Sequence, residues 1–280
     1  MLLKGLVMVR MMAIGVALAL AAGQVSVAMA QGNGLVLYGA GSLREAMSQV
    51  AEAFGARQGI PVKTEFGASG RMRERIEAGD EVDVFTSADI GHARKLVADG
   101  RASAMAMFAQ NALCVLAPTA RGPLTSDRVL DALLKEGTKI GVSPPVIDPL
   151  GDYTVRLFEV AEKLRPGSRQ SLQSRAVVID DPPGSPPARS GDTFLDALQD
   201  GRVDLAIVYC SGKGRYARLR ADVSMVAFPS DLAVGPQYGL AVLKGTRPEA
   251  MLLALTILSP EGQAILAANG FRPIGVPDAP

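Results

Sequence analysis

The stretch VLYGAGSLREAM, residues 36–47, sets an apolar run against two glycines and a serine, and then opens a helical pattern. Leu43, Ala46, Met47, Val50 and Phe54 recur at helix spacing behind it. A second unit follows: IPVKTEF reads as a strand, FGASGRM as a turn and RMRERIEAG as a helix closed by Gly79. A third, VDVFTSA then GHARKLVADG, completes a βαβαβα run that predicts parallel strands with helices on the sheet faces.

The first two turns carry the same chemistry. Gly39-Ala40-Gly41-Ser42 and Gly67-Ala68-Ser69-Gly70 each end on a serine at a helix start. A helix N-terminus has free N–H groups and partial positive charge, glycine lets a ligand approach the backbone, and a hydroxyl adds a donor. Two such turns facing one cleft would hold an oxyanion with neutral donors alone. Each serine also has a plainer reading as a helix cap, and Ser42 with Glu45 has the spacing of a capping box.

Working outward, ALCVLAP looks like a strand crossing to a second α/β series. That series reads as helix 126–135, strand KIGVS, helix 151–164, strand AVVID, helix 192–200, strand DLAIVYC and helix 212–220. VSMVAFP and YGLAVL are further strands, and helices near 247–257 and 260–269 close the chain. DDPPGSPPARSGD, 180–192, has four prolines and two glycines and reads as a surface loop. Ligands in such folds gather at the carboxyl ends of strands.

The 280 residues are 48% hydrophobic and 20% charged, a globular composition. Residues 1–30 read as a cleavable signal peptide: Lys4 and Arg10, the short apolar run AIGVALALAA, and AMA before Gln31. Without that segment the chain carries 27 basic and 28 acidic residues, with no basic block to suggest nucleic acid. Aromatic residues are 5% and tryptophan is absent, which argues against a base-stacking or sugar-stacking surface. Cys114 and Cys210 leave two readings open, a disulfide in an oxidising compartment or two separate buried residues.

Other chemistries fit less well. Arg44 stands where a dinucleotide fingerprint needs glycine, and no P-loop follows a glycine-rich turn. Neither serine lies in G-x-S-x-G, and the one histidine, His92, reads as a solvated residue at the start of an exposed helix. An exported serine hydrolase using Ser42 or Ser69 is therefore poorly supported.

Residues 34–275 resemble the periplasmic molybdate-binding proteins of ABC importers, on the stretches GAGSLREA, FGASGRMRERIEAG, VDVFTSAD, DPLGDY, DLAIVY and LSPEGQAIL…GF. The resemblance implies a type II periplasmic-binding fold of two lobes, each a mixed sheet flanked by helices, closing on a tetrahedral oxyanion. It implies lobe one at 31–109 plus 235–280 and lobe two at 110–234. By motif, Ser42 and Ser69 would donate from lobe one, and the turn at Leu150-Gly151 and the Tyr209 phenol from lobe two. It further implies a monomer with no cofactor beyond the bound molybdate or tungstate, working in the periplasm with an inner-membrane permease as partner.

Asp148 departs from that picture, because a carboxylate beside a dianion is repelled. It either faces away and ties down its loop, or coordinates the metal centre of the ligand directly. Sulfate, phosphate, or a ferric ion held by Tyr209, Tyr238 and Asp148 are the alternative ligands.

Overall fold

The computed structural model describes residues 34–182 and 184–274. The expected signal peptide lies outside these residues.

The chain opens as read. Strand β1 (Leu35–Ala40) leads through a single 3₁₀ turn, Gly41–Leu43, into α1 (Arg44–Gln58). Ala46, Met47, Val50, Ala51 and Phe54 form the buried face of α1, and Gly59, with φ at 68°, ends it in the left-handed region. β2 (Val62–Gly67), α2 (Ser69–Ala78), β3 (Val84–Ser87) and α3 (Ile90–Ala98) follow. β1 lies between β2 and β3, parallel to both.

β4 (Ala102–Gln110), ASAMAMFAQ, is a nine-residue strand that the sequence pattern did not reveal. Alanine and methionine favour helices in isolation, and here sheet pairing overrides that weak preference. β5 (Leu113–Pro118) belongs wholly to the second sheet, so the crossing occurs at residues 111–112 rather than along ALCVLAP.

The second series runs α4 (Val129–Leu134), β6 (Ile140–Val142), α5 (Pro149–Leu164), α6 (Ser168–Arg175), β7 (Ala176–Val178), α7 (Thr193–Gln199), β8 (Leu205–Tyr209), α8 (Lys213–Leu219) and β9 (Val223–Ala227). α6 was not anticipated, because only Ser168 and Leu172 are buried along it and no apolar period marks it. Residues 180–192 contain no helix or strand among those described. The chain then returns through β10 (Gln237–Leu243), α9 (Pro248–Leu258), α10 (Pro260–Ala268) and the short β11 (Arg272–Pro273).

Two mixed sheets result. One has the order β11-β4-β10-β3-β1-β2 and the other β7-β6-β8-β5-β9. β10 runs antiparallel to both β3 and β4, while β5 runs antiparallel to β8 and β9. The backbone thus passes between sheets twice, between Gln110 and Leu113 and between Ala227 and Gln237. Cys114 and Cys210 are joined by a disulfide, which pins the turn after β8 to β5.

Candidate functional site

The two serine turns are equivalent in register. Ala40 pairs with Gly67 across β1 and β2, and Ser42 and Ser69 each stand two residues further on. Both therefore emerge from the carboxyl ends of neighbouring parallel strands, beside one cavity of about 240 Å³ between the sheets. Ala40, Ser42, Ala68 and Ser69 wall it on one side; Ser143, Asp148, Leu150, Phe194 and Tyr209 wall it on the other.

Neither serine caps its helix, and the capping-box reading of Ser42 is corrected. The Ser42 hydroxyl lies 2.9 Å from the Tyr238 hydroxyl, and Glu45 pairs across the cleft with Arg215 at 3.6 Å. Ser69 is the first residue of α2, with Ala68 at the cap position. Its Oγ accepts the backbone N–H of Ala88 at 3.1 Å, which leaves its own proton free to donate. Neither the turn at Gly41 nor α2 has a side-chain cap, so their first-turn N–H groups receive no side-chain acceptor.

Tyr209 ends β8 and reaches the cavity from the second sheet. Its phenol oxygen is buried and has no hydrogen-bond partner among the described residues, an orphaned donor of the kind a ligand satisfies. Burial pushes the phenol well above its ordinary range, and the neighbouring Tyr238 and Asp148 add to the shift. Tyr238, fully buried, is raised for the same main reason. Both are neutral donors at neutral pH, whereas the ferric reading calls for phenolates.

The turn at Leu150-Gly151 does not present free donors. The Leu150 N–H is taken by the Asp148 carboxylate at 3.0 Å and the Gly151 N–H by the Asp148 carbonyl at 2.9 Å. Leu150 lines the cavity and Gly151 does not. Gly151 is required for packing: a Cβ there would meet the backbone of Ser143, Pro144 and Pro145 at 2.6 Å. Asp148 does tie down its loop, as the cap of α5, yet it also lines the cavity. Desolvation raises its carboxyl above the usual range, opposed by hydrogen bonds from Leu150 and Ser143. α7 is capped the same way: Asp192 accepts the N–H groups of Phe194 and Leu195.

The arginines at the cavity are already engaged. Arg71 holds both carboxylate oxygens of Asp180 at 2.8 Å and the Asp181 carbonyl at 2.9 Å. Arg215 pairs with Asp192 at 2.7 Å, and Arg44 stacks on Phe66 at 5.1 Å. Arg71 thereby reaches Asp180 and Asp181 of the proline-rich loop across the cleft, while Arg215, paired with Asp192 on its own side, crosses it to Glu45. A backbone bond joins the sides as well, from the Gly70 N–H to the Ile147 carbonyl at 2.9 Å. A Cβ at Gly70 would meet that carbonyl at 2.5 Å, and the adjoining Val146 sits at φ 71°, a costly conformation for a β-branched residue.

His92 is half-buried rather than solvated, 3.3 Å from Arg73. Burial, then the charge of Arg73, lowers its pKa. It lines a separate groove with Asp89, Asp152, Arg156 and Glu159, away from both serines. Among the described residues no three His, Cys, Asp or Glu side chains are grouped as metal ligands.

A family model for bacterial extracellular solute-binding proteins matches residues 35–272. The uncharacterised protein PM1146 of Pasteurella multocida (strain Pm70) is 33% identical over 239 residues, spanning 84% of this chain and 96% of that one. The molybdate-binding protein ModA of Escherichia coli (strain K12) is 29% identical over 227 residues, spanning 78% and 80%. Among solved structures, the periplasmic molybdate-binding protein of Azotobacter vinelandii superposes with a TM-score of 0.68 at 22% identity, over 85% of this chain and 98% of that one. The fold is the type II periplasmic-binding fold.

Proposed function

This chain belongs to the bacterial extracellular solute-binding proteins, with molybdate-binding proteins among its relatives, and we propose that it captures a small tetrahedral oxyanion, molybdate or tungstate foremost, between its two lobes. It would do so in the periplasm and pass the ligand to an ABC permease. The lobes would be 31–109 with 235–280, and 110–234, each built on one sheet, with Gln110 as the last residue of β4 still in the first sheet.

One observation carries this reading. Three hydroxyl donors, on Ser42, Ser69 and Tyr209, converge on one cavity where Arg71 and Arg215 are paired to carboxylates and Arg44 lies over Phe66. A dianion there would be held by hydrogen bonds to neutral groups, each worth about 1.5–3 kcal/mol when one partner is charged. No full counter-charge has to be broken when the ligand leaves. Closure would bend the two crossing segments, 111–112 and 228–236, and the contacts of Gly70, Arg71 and Arg215 would form as the lobes meet.

Capture without chemical change fits the same cavity. A serine nucleophile needs an adjacent base, and His92 lines a different groove. The binding reading is tested by thermal shift and calorimetry with molybdate, tungstate, sulfate, phosphate and ferric citrate. Stabilisation by molybdate and tungstate at low concentration is expected. Stabilisation by ferric citrate alone, or by phosphate in preference to the others, would contradict it.

A further inference from the structure

Asn111 sits where the chain leaves the first sheet for the second, and it is buried. Its amide orientation is fixed by the backbone. Oδ1 accepts the N–H of Ala112 at 2.9 Å and that of Ser211 at 3.3 Å. Nδ2 must therefore be the face turned to Tyr238, donating to its hydroxyl at 3.0 Å and to Ser211 Oγ at 2.9 Å. A phenol that accepts from Asn111 has one proton left to give. The Tyr238 hydroxyl also lies 2.9 Å from Ser42 Oγ, a geometry in which either oxygen can donate.

We infer that Asn111 and Tyr238 form a relay that makes Ser42 a dedicated donor to the ligand. With its oxygen accepting from Tyr238, the Ser42 hydroxyl turns its own proton to the cavity. Successive hydrogen bonds of this kind polarise one another, so the serine proton at the end is a better donor than that of a free hydroxyl. Neither Asn111 nor Tyr238 lines the cavity, so both are positioning residues acting through Ser42. Ala88 does the same for Ser69 through its backbone N–H.

The relay has a consequence for selectivity. With one lone pair of each serine oxygen already engaged, the serines turn their protons toward the cavity. A fully deprotonated oxyanion is matched. Hydrogenphosphate, which brings a proton of its own, is offered protons by both serines and would have to turn its own to Asp148 on the opposite wall.

The inference rests on the oxyanion reading of the cleft and is tested with Tyr238→Phe. That variant keeps the ring in place among Phe108, Tyr209 and Phe271 and removes only the hydroxyl. Molybdate affinity, measured by calorimetry, is expected to fall about tenfold, roughly the value of one hydrogen bond. The preference for molybdate over hydrogenphosphate is expected to narrow, because the freed Ser42 hydroxyl rotates and accepts. In a double-mutant cycle, adding Tyr238→Phe to Ser42→Ala is expected to cost nothing more. Additive losses in that cycle, or unchanged selectivity in the single variant, would overturn the relay while leaving the oxyanion reading intact. A wild-type protein that binds none of the oxyanions would overturn both.

Discussion

The helices that face the cavity begin in two different ways. In the first lobe, the turn at Ser42 and the start of α2 have no side-chain cap, and both serines spend their oxygens elsewhere. In the second lobe, α5 and α7 are closed by the carboxylates of Asp148 and Asp192. A helix N-terminus attracts one anion, and in the second lobe the chain has supplied it. On the proposed reading the first lobe would receive a foreign anion, and the second would contribute a phenol and the contacts that shut the cleft.

The largest expected effect breaks the receiving side. Ser42→Ala with Ser69→Ala removes two donors to a charged ligand, and molybdate affinity should drop by at least about a hundredfold in calorimetry. An equal loss from truncating Asp148 and Asp192 instead would erase the distinction between the lobes. Next, Gly70→Ala places a Cβ against the Ile147 and Val146 carbonyls, backbone atoms with little room to yield. Ligand-free stability should change little while affinity falls about tenfold, because only the joined state carries the clash.

Tyr209→Phe sharpens the comparison from the other side. Affinity should fall by about tenfold for the lost donor, yet the ligand-free melting temperature should hold or rise, since an unpartnered buried hydroxyl is removed. The smallest effect belongs to Asp148→Asn, which keeps a good capping residue on α5. The native carboxyl has a raised pKa in the fold. Its contribution to stability is complete below the unfolded value near 3.8 and is lost as pH rises through the folded one. Thermal melts should show the variant gaining on the wild type as pH rises through that window, and matching it in acid.

Much of this was legible from particular residues. The strand-glycine-serine-helix order of 36–47 and its echo at 66–72 placed both serines, because parallel neighbours in register put equivalent turns side by side. Tyr209 was legible as the end of an apolar strand. That the Leu150 and Gly151 N–H groups are engaged within the chain had a readable cause: Asp-Pro before an apolar helical run is itself a cap signal, and a capped helix has its first N–H groups spoken for. The disulfide became decidable only when β5 and β8 were seen to pair. Asn111 left no trace at all, since its partners Ser211 and Tyr238 are 100 and 127 residues away and an isolated asparagine has no period. Interactions of that reach are created by the fold and have no local pattern.

The most direct test is a crystal structure of the protein with tungstate or molybdate, with the metal located by its anomalous scattering. The expected result is one metal site in the cavity, its oxygens about 2.7–3.0 Å from Ser42 Oγ, Ser69 Oγ and the Tyr209 hydroxyl. A metal held by the guanidinium groups of Arg71 or Arg215, or in the groove beside His92, would contradict capture by neutral donors.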